Sequence, residues 1–152
     1  MQQHIHKLGG DAEVSAMKRL DHILAVVLIA LGCVHNFVAA PMSYPELTAR
    51  ALWFISAGLS LWYAGFINLL RTRPPGHDDR FLGWLCVLTN VSMLLFVLAY
   101  GAVVGNWTDP QAIAFIAVVA VLTATSVLQL ARLRQRAAAA RTAPLNAGVM
   151  RR

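Results

Sequence analysis

The residues with the most chemistry to offer are His35 and Asn36, adjacent near the end of an apolar run, Leu20–Ala40, that stops against Pro41. Neighbours in a helix point about 100° apart, so both can face other helices, though not along one line. With Trp53, Ser56 and Tyr100 they are expected to form the polar end of a pocket opening outward. Such a pocket would suit a hydrophobic ligand, a quinone or a lipid, because an ionisable group inside a membrane usually marks a site. The alternative for the same residues is structural: His35 hydrogen-bonds across helices and fixes their packing. Haem ligation is a third reading. It needs a second buried histidine at the same depth, and His22 and His77 fall at the opposite face, leaving only a homodimer that uses His35 twice. A second polar group, Asn90, Thr123 and Ser126 with Thr125, lies toward the inner side, and hydroxyl-to-backbone bonding accounts for it. Asn68 is placed near enough to the surface to be hydrated.

What is missing narrows the chemistry further. No Asp, Glu, Lys or Arg is expected between the interfacial ends of any apolar run, whereas ion-coupled carriers depend on such groups. A small multidrug exporter would show a buried Glu in its first helix, and there is none. His4 and His6 supply two metal ligands without a third or fourth, so no metal site is expected, and no Ser–His–acid set can be assembled. Cys33 lies thirteen positions into the first run, roughly 20 Å deep, and Cys86 only roughly 6 Å from the same face. A disulfide needs alpha carbons within about 7 Å, so no bridge between them is expected. The reading is of a non-catalytic protein.

The elements that must carry these residues are apolar helices. Of the 152 residues, 58% are hydrophobic and 13% charged, with mean hydropathy +0.59. Soluble domains carry about a quarter charged residues, so this chain lacks the charge to coat a water-facing surface. Four runs reach the roughly 20 residues that cross a bilayer, at about 20–40, 51–70, 81–104 and 111–133. The small-residue pattern Val38-x-Ala40 resembles a signal cleavage site, but the run is of full spanning length and is kept as an anchor. The fold expected is all-α: one polytopic, antiparallel four-helix bundle, preceded by a polar segment, 1–19, and followed by a basic tail, 134–152, partly disordered.

Local signals set the helix ends. Asp11 is read as an N-cap of the first helix. Ser43-Tyr44-Pro45-Glu46 fits a capping box for the second, Asp78 is read as the cap of the third, and Asp109-Pro110 as the start of the fourth. Arg71 and Arg73 close the second helix with the charge its C-terminus favours. Ser56, Ser60 and Ala64 form a small-residue ridge, and Gly101-x-x-x-Gly105 another, both expected to serve helix packing.

Orientation follows from the cations. Twelve of the thirteen Lys and Arg fall in the N-terminal segment, the Arg71–Arg80 loop and the tail, leaving Arg50 alone on the other side. The positive-inside rule then places both termini on the cytoplasmic side. This explains the net charge of +6 without nucleic acid. Arg132, Arg134 and Arg136 are expected to meet anionic lipid head groups, worth about 1 kcal/mol per charge near the surface. Tyr44, Trp53, Tyr100 and Trp107 fall at the outer interface, Trp84 at the inner.

Gly32-Cys33-Val34-His35, followed by Trp53-x(4)-Gly58-x(6)-Gly65-x-x-Asn68-Leu69, resembles the small four-helix bacterial membrane proteins grouped as DoxX-like. The resemblance covers mainly the first two spans, and its motifs are glycines and aromatics in apolar helices. It implies a four-helix bundle with a lipid- or quinone-facing cavity, since some members are associated with quinone-linked redox complexes. It transfers no catalytic residue, and the basic tail departs from the family. Three functions therefore stand open: an accessory protein binding a quinone or lipid near His35, a structural subunit of a larger membrane complex or homo-oligomer, and a haem or quinone redox component.

Overall fold

A computed structural model describes residues 2–105, 107–108 and 110–142, with side chains described from Val14 to Arg141 except at positions 106, 109 and 111. Among the described residues every long element is a helix, and there is no strand. The first helix, Gln2–Val34, continues through a widened turn, His35–Ala39, into a last turn at Ala40–Ser43. The second spans Ala49–Thr72, the third Arg80–Val104 and the fourth Pro110–Thr142, with a short turn at Gly76–Asp78 before the third. All four are long and apolar enough to cross a membrane.

Several helix ends differ from their sequence signals, each for a local reason. Pro41 does not stop the first helix. A proline has no N–H and its ring crowds the carbonyl four residues back. The chain relieves this with one wide turn in which the Ala40 N–H bonds to the His35 carbonyl, and helix resumes. Ser43 is therefore still inside that helix and cannot cap the next one. The second helix is capped instead by Thr48, whose hydroxyl accepts from the Ala51 N–H at 3.3 Å. Asp78 belongs to the short turn, so the cap of the third helix moves to Asp79, whose carboxylate accepts from Phe81 and Leu82 N–H. Asp11 lies within helix rather than at its start, and the Asp109 cap falls outside the described residues.

The second helix turns a groove of small residues toward the first. A Cβ on Gly65 would sit 2.6 Å from Ile29 Cγ1 and 3.0 Å from the Ala25 carbonyl oxygen, and one on Gly58 would meet the Asn36 amide. The Trp62 indole N–H bonds the Ile29 carbonyl at 3.1 Å, locking this contact. The packed ridge thus runs Gly58, Leu61, Ala64, Gly65 and Asn68. Ser56 and Ser60 stand beside it, exposed, with their hydroxyls returned to carbonyls of their own helix, Trp53 and Ser56. A Cβ on Gly101 would sit 3.0 Å from the Trp107 ring. Gly105 ends the third helix at φ 71°, a left-handed cap that suits glycine.

The bundle centre is an apolar layer of Leu28, Leu61, Ala64, Val119 and Leu122, with Phe115 and Met93 against it. Outside, Trp53, Phe81 and Val103 are 78%, 77% and 86% exposed. Aromatics outside and charge inside invert the pattern of a water-soluble domain.

Candidate functional site

One helical turn before the second helix ends, its sequence reads Asn68-Leu69-Leu70-Arg71. Residues three apart share a face, and here that face is the one turned to the bundle. Arg71 is 0% exposed. This corrects the expectation that Arg71 marks the loop and that no formal charge enters the helices. Its guanidinium meets the Asp21 carboxylate of the first helix at 3.1 Å. The same group donates to Gln129 Oε1 of the fourth helix at 2.7 Å and to Asn68 Oδ1 at 3.4 Å. Burying such a pair is tolerable only where neighbouring polar groups take up the remaining N–H and oxygen valences.

From Arg71 the polar contacts run two ways. Inward, Asn68 and Asn90 exchange amide hydrogen bonds at 2.7 and 3.0 Å. Asn90 Nδ2 also reaches Ser126 Oγ at 2.9 Å and the Leu122 carbonyl at 3.2 Å, and Ser126 donates to that same carbonyl. Outward, Gln129 Nε2 donates to the His77 carbonyl at 2.6 Å and lies 3.2 Å from His77 Nδ1. Because Gln129 Oε1 is held by Arg71, its NH₂ faces His77, an arrangement suited to an imidazole that accepts at Nδ1. Burial, with Lys18, Arg71 and Arg136 nearby, pushes the His77 pKa down against the smaller pull of Asp78. Asp21 Oδ1 and Arg71 Nε are buried without a hydrogen-bond partner among the described residues.

The network ties all four helices and the His77 turn at one end of the bundle. Of the second polar group expected from sequence, Asn90 and Ser126 belong to it. Thr123 instead returns its hydroxyl to the Val119 carbonyl. Asp21 and Gln129 escaped sequence reading altogether. The usable signal was spacing: Asn68 with Arg71, and Ser126 with Gln129, are both i, i+3 pairs that put two polar groups on one face.

The His35 region is organised differently. The imidazole stacks on Phe54, ring centroids 4.0 Å apart and 12° from parallel, and its Nε2 donates to the Phe54 carbonyl at 3.0 Å. Asn36 turns its amide into the close approach with Gly58, its Oδ1 buried and unbonded among the described residues. Trp53, Ser56 and Tyr100 are all exposed, whereas His35 and Asn36 are half-buried. Leu28 lies seven residues from both Asp21 and His35, roughly 10 Å along the helix each way. The apolar layer thus separates the two polar levels.

The three arginines expected to meet lipid head groups also part company. Arg132 turns toward Met17 Sδ at 4.0 Å, Arg136 pairs with Asp78 at 3.7 Å, and Arg134 lies over the Trp84 ring at 4.8 Å. Cys33 and Cys86 are free thiols. Among the described residues no three His, Cys, Asp or Glu side chains converge. His4 and His6 have no described side chains, and residues 143–152 of the tail lie outside the described residues. No protein-family model, no curated protein and no solved structure matches the chain.

Proposed function

We propose that this chain is a non-catalytic structural or accessory subunit of a bacterial inner-membrane complex. The helices run antiparallel with both termini cytoplasmic, an arrangement in keeping with the resemblance to DoxX-like proteins. Three contacts support the direction. His22 meets Thr72 and His35 meets Phe54, so the first two helices run opposite ways. Met17 beside Arg132 puts the start of the first span, Val14–Ser43, next to the end of the fourth, Ala112–Arg141. The exposed cations Arg19, Arg73, Arg80 and Arg134 gather at that same end, which by the positive-inside rule is the cytoplasmic one.

The observation that carries the subunit reading is how the buried polar groups are used. Asp21, Asn68, Arg71, Asn90, Ser126 and Gln129 bond to one another rather than line a cleft, leaving Asp21 Oδ1 and Arg71 Nε unbonded in that cluster, and the Leu28–Leu122 layer lies between them and His35. The runner-up, a quinone or haem held near His35, has against it the Phe54 ring on one face of the imidazole and the bond that occupies Nε2.

Native mass spectrometry on the chain extracted in mild detergent tests the choice. The expected result is a defined stoichiometry with further membrane-protein copies and no quinone or haem. A quinone or haem retained at one per chain and lost in His35→Ala would overturn it. Topology is checked by cysteines placed at Pro75 and Gly76: labelling from outside the cell would reverse the orientation.

A further inference from the structure

The third helix turns an apolar groove of about 360 Å³ outward, lined by Phe81, Trp84, Leu85, Val87, Leu88 and Val91. From Phe81 to Val91 is ten residues, roughly 15 Å of helix. That is half the roughly 30 Å hydrocarbon thickness of a bilayer, the reach of one acyl chain within one leaflet. At the end of the groove nearest the helix start, the Arg134 guanidinium lies over the Trp84 ring. Arg136 is matched by Asp78, whereas Arg134, exposed, has no acidic partner among the described residues.

We propose that this groove binds one anionic phospholipid, its phosphate on Arg134 beside Trp84 and its acyl chain along Leu88 and Val91. The assignment rests on the membrane reading given above and adds a defined site to it. A second helix is the poorer occupant, because helices in lipid associate through small residues that let backbones approach, and this face is Phe, Trp, Leu and Val. A guanidinium over an indole can still turn an N–H edge outward, and that edge matches two phosphate oxygens. Tryptophan favours the head-group depth at which the phosphate would sit.

The test uses the full chain, delipidated in detergent and titrated with phosphatidylglycerol or phosphatidylcholine, with bound lipids counted by native mass spectrometry. One phosphatidylglycerol is expected to bind ahead of phosphatidylcholine. Arg134→Gln should weaken it about fivefold, the equivalent of about 1 kcal/mol for one basic residue near the surface. Leu88→Trp, which fills the groove and leaves the charge, should also weaken it, while the exposed control Arg73→Gln should not. Helical circular dichroism confirms that each variant is folded. Equal binding of the two lipids, or unchanged phosphatidylglycerol affinity in both Arg134→Gln and Leu88→Trp, would overturn the site. A chain that stays monodisperse without detergent would instead overturn the membrane reading, a separate outcome.

Discussion

Replacing Arg71 with methionine keeps most of the aliphatic stem and removes the guanidinium that joins Asp21, Asn68 and Gln129. At 3.1 Å and an effective dielectric of about 20, the attraction between the two charges is about 5 kcal/mol. Taking each ion out of water costs several kcal/mol, so the pair nets little against an apolar pair of the same shape. The asymmetry is what can be measured. Arg71→Met strands a buried carboxylate, and Asp21→Leu strands a buried guanidinium; each single change should cost about 3–5 kcal/mol. In the double variant neither charge remains. The Gln129 and Asn68 oxygens still lose their donor, so its stability should lie within about 2 kcal/mol of the parent. Unfolding by SDS titration in mixed micelles, followed by circular dichroism, gives the four corners of the cycle. The exposed Arg73→Gln serves as control, expected within about 0.5 kcal/mol of the parent. If Arg71→Met behaves like that control, or if the two single losses simply add in the double variant, the buried pair is not present as described.

Three further outcomes follow from the same geometry. Gly65→Ala places a methyl 3.0 Å from the Ala25 carbonyl, so it should push the first two helices apart and cost about 1–3 kcal/mol in the same titration. Asn90→Ala removes the donor shared by Asn68, Ser126 and the Leu122 carbonyl, and the stranded Asn68 amide should cost about 1–3 kcal/mol. His77 has a folded-state pKa below its ordinary value of 6.5, so below pH 6.5 the unfolded chain binds more protons than the folded one. Its contribution to stability should be complete above pH 6.5 and decline as pH falls. The midpoint of SDS unfolding measured from pH 7.5 to 5 should show that decline, and His77→Gln should remove it.

Much of this architecture can be read from single residues and their intervals. The four runs declare themselves because a helix in lipid satisfies its own backbone, and only length and apolar side chains are then demanded of it. Local capping was less secure. Whether Ser43 or Thr48 caps the second helix depends on how far the first survives past Pro41, and a single wide turn at His35–Ala39 decides that. The same limit governs Asp78 against Asp79, neighbours whose roles are exchanged by one turn of backbone.

The site was the least legible part. His35 attracts attention because a lone histidine in an apolar run is conspicuous, yet its neighbour in space is Phe54, nineteen residues on. Arg71 sits beside Arg73 at the end of an apolar run, where sequence reads both as loop cations. Nothing along the chain says that one turns inward, because the carboxylate that makes this tolerable, Asp21, is on another helix. Composition and periodicity by themselves determined that this chain is helical and fit for a membrane, since those properties depend on each residue's own transfer free energy. Which polar groups meet, and whether any space remains between them, was decided only by the tertiary structure, because a buried charge is stable or not according to partners that lie a whole helix away.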